Sequence, residues 1–272
     1  MIIDFHTHCF PDTLAPRAMA QLSSTVSAMD ISPATDGTAQ GLLCAMDKAG
    51  IDRSVICNIA TNPHQMTKVN DFAISQTANK RFIPFGSLHP NGEHLEDEIK
   101  RLRAAGILGI KLHPDYMQTN IDDPAFDPIF ELCEGYGMAV ITHAGLDPIS
   151  PDHMYCTPAR MVHVLDSFPR LTFIAAHLGG FHCEAEVLTH LCGRNIYMDT
   201  SLISHRPEKC PLIHDIFAHH DVSRLLFATD TPWTKGEEEI RAIQDLPISQ
   251  DDKERIFAGN ALSLLERLSS NN

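Results

Sequence analysis

The chain has 272 residues, 43% of them hydrophobic, and a formal charge of −14. The length suits one domain with a large core, the composition argues against disorder, and the acidic balance argues against nucleic acid or an anionic membrane surface as main partner. Eight cysteines are scattered without a C-x-x-C pair, which fits buried thiols in a reducing cytoplasm better than a disulfide framework.

At the N-terminus, Met1 runs directly into the apolar run Ile2–His8 with no basic region before it; a first strand is expected there, and no secretory leader. The stretch from about residue 12 to 39 is longer than an ordinary βα connection. Its composition allows a helix over Leu14–Met29, a helical insertion over the barrel mouth. Further short apolar runs follow at Ser54–Ile59, Phe82–Leu88, Ile107–His113, Ala139–Ala144, Leu171–His177, Ile196–Ser201 and Leu225–Asp230. Each reads as a strand buried on both faces.

Helical patterns separate them. Glu93–Ala105 turns Leu95, Ile99 and Leu102 inward and stops at Gly106. Asp123 caps a helix opened by Pro124, with Phe126, Ile129, Phe130 and Cys133 at helical spacing. Thr157-Pro158 repeats that start. His219-His220 are expected at a helix end facing solvent or terminal carbonyls, and Glu237–Glu239 at a helix start, where the dipole favours acids. Ser249 with Asp252 makes a capping box before the last helix, and Ser269–Asn272 forms a polar end.

Eight strand–helix units predict a single α/β domain, residues 1–272, folded as a (β/α)8 TIM barrel. An open doubly wound sheet is the rival, but it would carry a glycine-rich phosphate loop after its first strand. His6-Thr7-His8-Cys9-Phe10-Pro11 stands there instead.

His6 and His8 are two apart on a strand and project to one face, with Asp4 at the same parity as a deeper group able to orient an imidazole. Strand five ends in His143, strand six in His177 and strand eight in Asp230. A barrel gathers all C-terminal strand ends on one rim, so metal-type ligands far apart in the chain converge there. Lys111 and His113 share parity on the fourth strand and are candidate substrate contacts. A buried lysine needs a partner or a modification; pairing with Asp230 or another acid and a metal-bridging carbamate are both open. Trp233, just after Asp230 and Pro232, either walls the pocket or anchors the loop.

These segments, Asp4-Phe-His-Thr-His8, Gly109-Ile-Lys-Leu-His-Pro114, Thr142-His143-Ala-Gly145, Ala176-His177-Leu-Gly-Gly180, Leu226-Phe-Ala-Thr-Asp230-Thr-Pro232 and Gly259-Asn260-Ala261, resemble the amidohydrolase superfamily, and within it the amidohydrolase-related family of metal-dependent hydrolases and decarboxylases. The likeness covers nearly the whole chain in order. It implies a divalent metal held by His6, His8, His143 and Asp230, with His177 as catalytic acid/base or, in a two-metal variant, a further ligand. One Zn2+ is the expected count; a second metal, and Mn2+ or Fe2+ in place of zinc, stay open. The leading expectation is hydrolysis of a small ester, lactone or amide by metal-activated water, with Asp230 as base; the alternative is non-oxidative decarboxylation of an unsaturated or aromatic acid. The expected partner is a small-molecule substrate, with a homodimer open, no nucleic acid and no membrane, in the cytoplasm.

Overall fold

The computed structural model describes residues 1–26, 31–206 and 211–270, the Pro211 side chain aside. Met29, at the end of the expected insertion helix, Cys210, and the last two residues of the polar tail lie outside the described residues.

The strands β1 (Ile3–Thr7), β2 (Arg53–Cys57), β3 (Phe82–Phe85), β4 (Gly109–Leu112), β5 (Ala139–Thr142), β6 (Thr172–Ala175), β7 (Tyr197–Asp199) and β8 (Leu225–Leu226) pair in parallel, in chain order. Each overlaps the apolar run expected of it. Two seams close the sheet. Gly86 N donates to Gly109 O at 3.0 Å and Lys111 N to Gly86 O at 2.8 Å, joining β3 to β4. Phe5 N donates to Phe227 O at 2.8 Å, Asp230 N to His6 O at 2.8 Å and His8 N to Thr231 O at 2.6 Å, joining β8 back to β1. The fold is the barrel; the open sheet is excluded.

Gly109 shows why β4 starts on glycine. A Cβ there would meet the Phe85 ring at 2.4 Å, and that ring packs edge-on against Phe5 in the barrel core, 5.9 Å between centroids. At the N-terminal end of the strands, Ala261, Leu264, Leu265 and Leu268 of the last helix (Asn260–Ser270) join Ile3, Val55, Ile83 and Ala139 in the same apolar cluster. Asn260 Nδ2 fixes that helix by donating to Val222 O and Leu225 O, both at 2.7 Å, where β8 begins. The bottom is therefore plugged, and the free rim is the C-terminal one.

The outer helices follow their caps. Thr157 accepts from Arg160 N at the start of Pro158–Ser167, Asp123 from Ala125 N, and Ser249 from Asp252 N. The insertion helix is Ala15–Val26. It leaves the C-terminal end of β1, and Phe10 N returns the loop to Gly37 O at 2.8 Å. One polar expectation changes, that for His220, while Glu237–Glu239 open the helix Gly236–Gln244 as expected. His220 is buried and its Nε2 donates to Ile196 O at 3.1 Å. Glu239 is buried too, accepting from Ile203 N and from the Ser204 amide and hydroxyl, and burial pushes its carboxyl up to about 8. The cysteines among the described residues are free. No helix among those residues is long and apolar enough to cross a membrane.

The β1–β2 register shifts between Asp4 and Thr7. This irregularity breaks simple alternation: Phe5 and His6 both reach residues of the barrel interior, Phe85 and Lys111 respectively. Asp4 consequently orients no imidazole. It accepts from Thr229 N at 3.0 Å, Thr229 Oγ1 at 2.7 Å and His6 N at 3.2 Å, tying β1 to the segment that carries Asp230. Burial pushes its carboxyl up to about 7.

Candidate metal centre

Hydrogen bonding decides which imidazole nitrogens are bare. His6 Nδ1 lies 2.8 Å from Asp199 Oδ2, and His8 Nδ1 lies 2.7 Å from Cys57 O. A carboxylate and a carbonyl accept only, so both Nδ1 atoms carry the proton and both Nε2 atoms present lone pairs. Those Nε2 atoms are 3.2 Å apart, and Asp230 Oδ1 stands 3.0 Å from His8 Nε2 and 3.4 Å from His6 Nε2. Three acceptors facing one another repel unless a cation lies among them. Bonds of 2.0–2.1 Å to a tetrahedral zinc imply ligand–ligand edges of roughly 3.3 Å, which the triangle matches. The donor set fits a divalent ion.

Lys111, 1% exposed, already supplies one positive charge there. Its Nζ donates to His6 Nε2 at 3.0 Å, so the buried lysine has an imidazole partner, where the sequence left an acid partner and a carbamate both open. Burial first, then Lys111, lowers the pKa of His6. The same burial takes His143 down to about 3 and His177 well below the ordinary histidine value. The rings are neutral at pH 7, the form a metal needs.

Asp199, at the end of β7, is the hub. One oxygen takes His6; the other accepts from Ser201 Oγ at 2.5 Å, from Ser201 N at 3.1 Å and from His177 N at 3.0 Å. Burial would raise this carboxyl, but His6, Ser201 and Lys111 outweigh it and hold it below the ordinary value. Since Ser201 gives its proton to Asp199, it accepts from His177 Nδ1, 2.8 Å away. His177 Nε2 is thereby bare, 3.1 Å from His143 Nδ1.

The backbone under these groups is strained. His177 and Leu178 take left-handed conformations, φ 56° and 52°, and Asp230 another at 65°; such residues cost about 1–3 kcal/mol each and persist only where the surroundings enforce them. Here Leu178 N donates to Asp199 O at 2.6 Å, and Arg206, buried and paired with Glu184, donates from Nη2 to His177 O at 2.5 Å. Gly145 lets the next loop come close: a Cβ there would lie 2.2 Å from Phe181 N.

The structure thus joins His6, His8 and Asp230, and places Lys111 beside them. His143 is not in that triangle; it pairs with His177, whose ring stacks on His6 at 5.3 Å. His113 stacks on His143 at 4.4 Å and faces Asp147. Trp233 is half-buried, its amide donating to Asp230 O at 2.8 Å, which anchors the loop. Asp199, Ser201 and Asp147 were not singled out by spacing. For Asp199 and Ser201 a signal existed: polar residues at i and i+2 closing an apolar strand.

A closed parallel barrel with imidazoles and a carboxylate converging on its C-terminal rim defines a metal-dependent TIM-barrel enzyme. The chain belongs to the amidohydrolase family, whose sequence profile ("Amidohydrolase") matches residues 3–267. It is similar to the 2-amino-3-carboxymuconate-6-semialdehyde decarboxylase of Dictyostelium discoideum, 28% identical over 228 residues, 68% of this chain and 61% of that protein; the matched part is thus about three fifths of the relative's length. Among solved structures, an uncharacterised TIM-barrel protein of Bordetella bronchiseptica superposes with a TM-score of 0.77 at 20% identity, covering 98% of this chain and 99% of the other. A 5-carboxyvanillate decarboxylase of Novosphingobium aromaticivorans, solved with bound manganese, gives 0.71 at 18% identity, covering 98% and 97%. At such identities these two speak for the fold.

Proposed function

We propose that the protein is a metal-dependent decarboxylase that removes CO2, without oxidation, from a small unsaturated or aromatic acid. The observation that carries this reading is the 28% identity to a decarboxylase across 228 residues, joined to the His6–His8–Asp230 triangle that would hold one divalent ion, Zn2+ in our assignment. When bound, the ion supplies a Lewis acid that takes the substrate's carboxylate or a neighbouring oxygen and stabilises developing negative charge.

The chain's own residues do the rest. Lys111 is assigned to an anionic group of the substrate, and His113 and Trp233 to further substrate contacts. Asp230 directs Oδ1 at the triangle, while Oδ2 makes no hydrogen bond among the described residues. That oxygen is assigned the proton transfer, taking a proton from substrate or solvent and passing it to carbon. As the carbon–carboxylate bond breaks, its electron pair stays on carbon and takes the proton, and the carboxylate leaves as CO2. His177, held by Ser201 with Nε2 bare, accepts from a substrate hydroxyl.

Hydrolysis, the first expectation from sequence, is the second reading. The His143–His177 nitrogen pair near Lys111 favours it, because two ions around a modified lysine suit water activation. The two are separated by supplying metal-loaded enzyme with aromatic and muconate-like acids, and in parallel with lactones, esters and amides. CO2 equal to the acid consumed is expected; lactone, ester or amide cleavage with no CO2 from any acid overturns the proposal.

A further inference from the structure

His113, His143 and Asp147 form a second polar cluster on the rim. His113 Nε2 and His143 Nε2 face the same oxygen, Asp147 Oδ2, at 3.4 and 3.7 Å. The composition is that of a metal seat, but the geometry is not. An imidazole nitrogen offers its lone pair in the ring plane, and these rings stack 10° from parallel with centroids 4.4 Å apart. One ion cannot lie in both planes. Two N–H groups converging on one carboxylate oxygen do fit.

We propose that Asp147 is a positioning residue that selects the tautomer of His143, keeping the proton on Nε2 and leaving Nδ1 bare as a cation ligand opposite His177 Nε2. Left to itself, a neutral His143 would gain most by placing its proton on Nδ1 and donating to His177 Nε2 across 3.1 Å. That bond would close the nitrogen pair against any cation. Asp147 opposes it: with the proton on Nδ1, the Nε2 lone pair would face a carboxylate. His143 Nε2 is buried and makes no hydrogen bond, so no competing group offsets the Asp147 carboxylate 3.7 Å away. Asp147 is itself fixed, since Oδ1 accepts from Ile149 N at 2.7 Å, which leaves Oδ2 for the histidines. His113, wedged between Tyr116 and His143 with centroids 4.4 Å from each, keeps the rings in register.

The tautomer stands on this geometry alone; its use in holding a cation rests on the second reading above, in which the His143–His177 nitrogen pair takes an ion. The test uses metal-free protein labelled with 15N at histidine, read by long-range 1H–15N correlation spectra. In the unsubstituted protein His143 is expected as Nε2–H with Nδ1 unprotonated. In Asp147→Asn and Asp147→Leu the proton moves to Nδ1. Zn2+ affinity, measured by chelator competition, then falls about 10–100-fold at sites that depend on His143, as when a group orienting a metal ligand is lost. Nδ1–H in the unsubstituted protein, a reading that needs no variant, overturns the proposal, as does an unmoved proton in both folded variants. The expected tautomers with unchanged Zn2+ affinity keep Asp147 as the selector and remove His143 from the ligand set instead.

Discussion

Asp230→Asn lowers turnover by about 10²–10⁴-fold, the span associated with a positioned proton-transfer group, and weakens divalent-metal binding at the same time. Both effects come from one side chain. Oδ1 closes the triangle with two bare imidazole nitrogens at 3.0 and 3.4 Å, and a neutral amide brings no charge to offset the cation. Oδ2 is the oxygen assigned to proton transfer, and the amide cannot take up a proton and pass it on. The left-handed backbone at this residue, φ 65°, is set by the Thr229 contacts to Asp4, so the variant should keep the fold. Steady-state rates of the proposed decarboxylation, with metal content by elemental analysis, check it. Unchanged rates and unchanged metal would remove Asp230 from both roles.

Asp199→Asn is expected to lower metal affinity about 10–100-fold although Asp199 is no part of the triangle. Its two oxygens accept from His6 on one side and from Ser201 and the His177 amide on the other. An asparagine accepts on one side only. Its NH2 then meets either the His6 Nδ1–H or the Ser201 hydroxyl, a buried donor–donor conflict of about 1–3 kcal/mol. Turning the amide toward His6 drives the His6 proton to Nε2, into the cation seat; turning it the other way frees His177. Isothermal titration of Zn2+ into the metal-free variant reads the effect, with thermal unfolding as the control for global damage. Wild-type affinity in a folded Asp199→Asn protein would show that Asp199 does not set the His6 tautomer.

The barrel was legible because its strands are buried on both faces and its helices carry caps, two signals local in sequence. The rim residues His6, His8 and Asp230 were legible for a related reason: each closes an apolar run, and closure of the barrel brings run ends together. Asp4 shows the limit of that logic. Strict alternation placed it with His6, and a single register shift in β1 sent it instead to the backbone of Thr229. Asp199 shows another limit. It orients His6 from 193 positions away, a pairing that no spacing records, and it sat in a run already read as strand. Asp147 lies in a loop where a lone acid carries no pattern. Lys111 was rightly expected to need a partner, but which partner depended on the ring orientation of His6.

A cation among His6, His8 and Asp230 underlies the chemistry proposed for the rim. Crystals of protein loaded with Zn2+ or Mn2+ should give an anomalous peak, at the edge of that metal, within about 2.0–2.2 Å of His6 Nε2, His8 Nε2 and Asp230 Oδ1. Protein that carries metal by elemental analysis, yet shows its only anomalous peaks away from those three atoms, would contradict it.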